Sequence, residues 1–96
     1  MGNIEFAWDR RKAQSNLVKH GVSFEEAQPV FLDESARLID DPDYSGDEDR
    51  FLLLGYSIQA RRLIVSHCYR EADSMIRPIS ARRATAREEE MYRSLR

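Results

Sequence analysis

Ile4, Phe6 and Trp8 alternate with Glu5 and Ala7, the period of two that marks a short strand with one buried face. Asp9 then offers a helix N-cap. From Arg10 to His20, Ala13 and Leu17 stand four apart on one face, and Arg10, Arg11, Gln14 and Lys19 are left for solvent. Gly21 ends this helix, because glycine enters the left-handed region at little cost, and Val22 can then touch Leu17. Ser23 and Glu26 have capping-box spacing, which predicts a second helix with Phe24, Ala27 and Phe31 toward the core. Pro29 lacks the N–H that would bond one turn back, so that helix is expected to be short or bent.

Beyond Asp33 the period changes from helical to extended. Residues 36–40 read as a strand, and the Asp41-Pro42 step opens a loop through Tyr44, Ser45 and Gly46. Phe51-Leu52-Leu53-Leu54 is apolar on both parities, as in a central strand covered on two sides. Residues 62–70 form the next strand, with Leu63, Val65, His67 and Tyr69 on one face and Arg62, Ile64, Ser66, Cys68 and Arg70 on the other. A further strand over 75–80 follows the link Glu71-Ala72-Asp73-Ser74, and the short connections imply an antiparallel meander. Pro78 predicts an edge or a bulge there. Thr85 and Glu88 make a second capping box, and Met91 and Leu95 give a terminal helix its apolar side. The pattern therefore predicts an α+β fold: two N-terminal helices packed on an antiparallel sheet, with a C-terminal helix.

The 96 residues, 42% hydrophobic and 33% charged, suffice for a single domain spanning 1–96. No apolar run approaches the roughly 18 residues of a membrane span, and Met1-Gly2-Asn3-Ile4-Glu5 lacks a secretory pattern, so a cytoplasmic protein with no membrane association is expected. The lone Cys68 has no disulfide partner, and neither a metal nor a cofactor is announced by ligand spacing. The net charge of −2 conceals a separation. Residues 1–50 carry six basic against twelve acidic side chains, a balance of −6, whereas residues 51–96 carry nine against five, +4. All nine of those cations are arginine, whose planar fork suits phosphate and carboxylate. They can meet an anionic partner or the chain's own acidic stretch, Asp40, Asp41, Asp43, Asp47, Glu48 and Asp49.

Several segments in order carry a resemblance: Trp8-Asp9, Lys12, Asn16, the run from Lys19 to Ala27, Arg50 to Gly55, and Ile79-Ser80-Ala81-Arg82-Arg83-Ala84-Thr85 followed by Glu88 and Tyr92. Together they resemble the BrnT toxin family over nearly the whole chain. Pro29 and Pro78 depart from the family's pattern. The resemblance implies a RelE-like fold, a ribonuclease that inhibits translation by cutting RNA, possible contact with the ribosome, and neutralisation by a BrnA-like antitoxin in a toxin–antitoxin hetero-oligomer or beside a homodimer.

RNA cleavage without a metal needs a base near the 2′-OH, cations around the phosphorane and a proton donor for the leaving oxygen. Arg70, Arg77, Arg82 and Arg83 are the candidate cations, converging near the N-terminus of the terminal helix. Arg82 or Arg83 can equally bind Glu88 to fix the strand–helix junction. His67 titrates in the right range for a base, yet its parity is that of a core residue. Lys12, Lys19, His20 and Tyr92 are candidate RNA contacts. For Lys19 and His20 a helix C-terminal capping role competes, for Lys12 a solvated helix face, and for Tyr92 packing beside Met91. A non-catalytic module, binding an acidic protein or the ribosome through the same arginines, is the alternative function.

Overall fold

The computed structural model describes residues 4–42, 46, 49–57, 59–70 and 74–94. The expectations placed on Asp43, Tyr44, Ser45, Asp47 and Glu48 of the acidic loop, on Glu71, Ala72 and Asp73 of the strand link, and on Leu95 lie outside the described residues.

The elements run β1 (Glu5–Phe6), α1 (Arg10–His20), α2 (Phe24–Ala27), a 3-10 helix (Gln28–Leu32), β2 (Arg37–Asp40), β3 (Phe51–Tyr56), β4 (Arg62–Arg70), β5 (Met75–Arg83) and α3 (Ala86–Arg93). The strands form one sheet in the order β1-β5-β4-β3-β2. The meander β2 to β5 is antiparallel as expected, but β1 joins β5 in parallel through Glu5 opposite Met75 and Phe6 opposite Ile76. The sheet is therefore mixed rather than antiparallel. No hairpin links these two strands, so turn geometry does not set their relative direction.

The run Leu52-Leu53-Leu54 faces both ways. Leu53 joins Val22, Phe24, Ala27, Val30, Leu63, Val65 and Ala81 in a core under α1, α2 and the 3-10 helix. Leu54 lies on the other face with Ile64 and Tyr92, so α3 covers the opposite side. Gly55 lets the 3-10 segment come close: a Cβ there would stand 3.0 Å from both Asp33 Oδ2 and Val30 Cγ1.

Pro29 acts as its chemistry predicts. The α-helix stops at Ala27 and continues as a 3-10 helix with the proline in its first turn. Gly21, at φ 69°, donates its N–H to Leu17 O and ends α1. Leu17 itself departs from expectation: it is 49% exposed, and the buried side of α1 runs through Ala13 and Asn16. Ser23 accepts from Glu26 N–H, but the reciprocal half of that capping box is missing. The Glu26 carboxylate turns instead to the Ser57 hydroxyl at 2.7 Å and to the Arg61 guanidinium, a charged donor stronger than a neutral amide. Arg61 holds the Glu26 carboxyl below its ordinary range. At Pro78 the strand bulges: Ser66 pairs with Ser80 and His67 with Pro78, leaving Ile79 as the extra residue.

Candidate ribonuclease site

Cross-strand partners share a face, so the register sorts the side chains of the sheet. Arg37 pairs with Leu54, Leu54 with Ile64, and Ile64 with Arg82. Arg62, two residues before Ile64, lies on this same face. The terminal helix crosses it, and its contacts are charged at one end and apolar in the middle. Glu88 accepts from both terminal nitrogens of the Arg82 guanidinium, at 2.8 and 2.7 Å, and Glu89 forms an ion pair with Arg62, its Oε1 3.0 Å from Nε. One turn on, Tyr92 packs over Leu54 and Ile64.

The result is a groove beside α3 whose walls include Asp33, Arg37, Tyr56, Arg62, Glu89 and Tyr92. Arg62 is its centre. It donates to the Tyr56 hydroxyl oxygen at 2.8 Å and lies over that ring at 4.7 Å from the centroid, so its plane is fixed between an aromatic face and a carboxylate. Tyr56 is anchored in turn, because its backbone N–H donates to Asp33 Oδ2 at 2.9 Å. Burial pushes the Asp33 carboxyl up, but hydrogen bonds from Tyr56 and Ser35 outweigh it and hold the group below its ordinary range.

The Arg82–Glu88 pair closes the junction between β5 and α3. Glu88 also receives Thr85 N–H at 3.0 Å and Thr85 receives Glu88 N–H, the capping box expected from sequence. Hydrogen bonding from Arg82 is the main reason the Glu88 carboxyl is pulled down to about 2. Tyr92 is 2% exposed, and its hydroxyl finds no hydrogen-bond partner among the described residues. Burial, helped by the charge of Glu88, raises its pKa to about 12, so the phenol stays neutral.

The four arginines singled out from sequence do not converge. Arg82 is in place beside α3. Arg77 shares its face but pairs with Cys68, four residues along β4 from Ile64, about 13 Å away at strand spacing. Arg70 stands at the far end of β4 from Arg62, about 26 Å off. Arg83 pairs with Leu63 on the helical face and is exposed there, where its charge acts on Glu26. His67 is fully buried on that face; its Nδ1 donates to Val65 O at 3.1 Å and its Nε2 accepts from the Tyr69 hydroxyl at 3.3 Å. The ring centroid of Phe31 lies 4.8 Å away. Burial lowers the His67 pKa, and a phosphate has no access to the imidazole in this packing. Lys12 and Lys19 are exposed and His20 half-buried on α1, on the far side of the sheet from the groove.

Arg37, Tyr56, Arg62 and Glu89 were not singled out from sequence. The polar parity of β4 pointed to Arg62, which closes the β3–β4 hairpin opposite Tyr56; no such signal marked Arg37 or Glu89.

Residues 8–88 match the model of a family described as the ribonuclease toxin BrnT of a type II toxin-antitoxin system. The chain belongs to the BrnT family. It is thus a ribonuclease toxin of a type II toxin-antitoxin system, a setting that brings with it an RNA substrate and an antitoxin partner. The fold agrees with that of the crystal structure of the Brucella abortus ribonuclease toxin BrnT, with a TM-score of 0.68 at 24% identity, covering 86% of this chain and 99% of that one. A search of curated proteins finds no match. Among the described residues, no helix is long and apolar enough to cross a membrane, and no three His, Cys, Asp or Glu side chains are grouped to hold a metal ion.

Proposed function

We propose that this BrnT-family chain cuts RNA in the α3 groove, without a metal ion, and so blocks translation in the cytoplasm. The observation that carries this reading is the fixed Arg62 guanidinium between Tyr56 and Glu89. A planar cation already oriented by an aromatic ring loses little freedom when it meets a phosphate, and it offers most to the phosphorane, where charge is greatest. Arg37 stands across the groove as a second cation. Glu89, ion-paired with Arg62, takes the 2′-OH proton as Arg62 turns from it to the phosphate; the 2′-oxygen bonds phosphorus, the bond from phosphorus to the 5′-oxygen breaks, and the proton held by Glu89 passes to that leaving oxygen. Tyr56, 42% exposed, offers the ring face that Arg62 does not cover for a base to stack on. Arg82 acts from the side, as the residue that seats α3 through Glu88. The same arrangement of sheet and terminal helix suits a RelE-like toxin.

A BrnA-like antitoxin neutralises the chain by covering this groove and the β5–α3 junction, where Met91 is 55% exposed and available for apolar contact. Purified chain incubated with RNA in excess chelator should cleave it. Arg62→Ala should lower the rate about ten- to a hundredfold, the equivalent of one lost charge-assisted contact of about 1.5–3 kcal/mol. Arg62→Lys should recover little, since an ammonium cannot reproduce the fork. Undiminished cleavage by folded Arg62→Ala would take the groove out of the mechanism, and strict dependence on added divalent ion would remove the metal-free chemistry.

A further inference from the structure

The first helix carries a charge pattern that its own folding opposes. Its eleven residues, Arg-Arg-Lys-Ala-Gln-Ser-Asn-Leu-Val-Lys-His, include four Lys or Arg and no Asp or Glu. Three of the cations, Arg10, Arg11 and Lys12, occupy the first turn, where the helix dipole is already positive and acidic residues stabilise. Asp9 answers only part of this by capping Arg11 N–H at 2.8 Å. Arg10, Arg11, Lys12 and Lys19 are all exposed, and none pairs with a carboxylate among the described residues. Helix stability gains nothing from the three cations of the first turn, whereas Lys19 lies in the last turn, where a cation suits the dipole.

At 3.6 residues per turn the positions make a surface. Arg11, Ser15 and Lys19 follow at intervals of four, and Lys12 stands beside them, three before Ser15 and seven before Lys19. This stripe runs along a solvent-exposed flank of the helix, beside the buried side marked by Ala13, Asn16 and the half-buried His20. The exposed apolar residues of the helix, Leu17 and Val18, are consecutive and so point about 100° apart; they do not form the i, i+3, i+4 ridge by which a helix docks into a protein groove. A polyanion fits the stripe better than an amphipathic protein segment.

We infer that the outer face of α1 is a second RNA-binding surface, in which Arg11, Lys12 and Lys19 grip the backbone phosphates of RNA that extends beyond the groove. This rests on RNA being the substrate and adds a contact the groove does not supply. The path is short, since α1 packs along β5, the strand that carries Arg82. Asn16 binds Ala81 at the outer edge of that strand, so RNA leaving the groove past β5 meets α1 next. Substrates long enough to follow this path should be held more tightly than short ones.

The test compares the full chain with a variant carrying Arg11→Gln, Lys12→Gln and Lys19→Gln, checked for folding by thermal melting. Two probes are used, a single-stranded RNA of about 60 nucleotides and a tetranucleotide, which spans only about 14 Å when stacked at 3.4 Å per nucleotide. The variant should bind the long RNA about tenfold or more weakly at low salt, and its log–log salt slope should be shallower by about 2, the share of three phosphate contacts. Cleavage of the tetranucleotide should be unaltered. The variant should also melt close to the parent, since removing Arg11 and Lys12, which oppose the dipole, offsets the loss of Lys19, which favours it. Unchanged long-RNA affinity and slope would overturn the proposal, and so would loss of antitoxin binding with RNA binding intact, which would give the face to the protein partner. An equal loss on the tetranucleotide would overturn it too. If the parent chain cleaves neither probe, the reading of the groove fails, while the binding comparison still decides the role of α1.

Discussion

The Asn16 side chain meets the Ala81 backbone as a neighbouring strand would: its amide nitrogen donates to Ala81 O at 2.8 Å, and its carbonyl accepts Ala81 N–H at 3.0 Å. The same nitrogen also donates to Val22 O at 2.8 Å. Since β1 pairs with β5 only at Met75 and Ile76, the outer edge of β5 at Ala81 would otherwise be buried with both polar groups unsatisfied. One side chain on α1 therefore completes the sheet and fixes the helix to it.

Asn16→Ala should cost about 2–4 kcal/mol, because it strands buried backbone groups worth about 1–3 kcal/mol each. Urea denaturation measures this directly. Asn16→Asp should fail to restore stability, as a carboxylate cannot donate to Ala81 O or Val22 O. A loss below about 0.5 kcal/mol for the alanine variant would mean that solvent replaces the amide.

The Glu88 carboxyl is pulled from its ordinary 4.5 to about 2 by Arg82. With the folded value depressed, its contribution is complete above the unfolded value of 4.5 and is lost as pH falls toward 2. Glu88→Gln should lower stability by about 1 kcal/mol near pH 7, since the pair is partly solvated, and should flatten the acid limb of the stability profile. Parallel pH profiles for parent and variant would show that the pair contributes nothing.

Tyr92→Phe removes a hydroxyl that is buried with no partner among the described residues, so it should leave stability unchanged or raise it by about 1 kcal/mol. A clear loss of stability would reveal a hydrogen bond for that hydroxyl. If cleavage falls while the fold holds, the neutral phenol takes part in the chemistry as proton donor.

His67 should act on folding and not on cleavage. Its folded pKa lies below the ordinary 6.5, so its contribution is full above that value and declines as pH falls below it, because the unfolded chain takes the proton first. His67→Phe should remove this decline between about pH 7 and 5, while cleavage per folded molecule persists. A selective loss of cleavage with intact melting behaviour would return the imidazole to the site.

Much of this fold is written in local chemistry. The alternation at Phe6 and Trp8, the two-parity run at Leu52 to Leu54, the glycine stop at 21, the early end of α2 before Pro29 and the Thr85–Glu88 box each depend on neighbours within a few residues, and those rules act whatever the rest of the chain does. The bulge at Pro78 belongs to the same class, since a missing N–H is a property of the residue itself. The alternation fails at Ile4, which lies outside β1 and is 47% exposed. The parallel pairing of β1 with β5 was decided by the tertiary structure, because two strands joined through helices and three other strands carry no turn to set their direction. Leu17 was left in water, and Asn16 buried, because the strand edge needed an amide more than α1 needed another apolar contact. The site was decided there as well. Arg70, Arg77, Arg82 and Arg83 look equivalent in sequence, but strand length and the two faces of the sheet distribute them widely. Arg62 and Arg37 share the groove because register, a relation between distant segments, aligns them through Leu54 and Ile64.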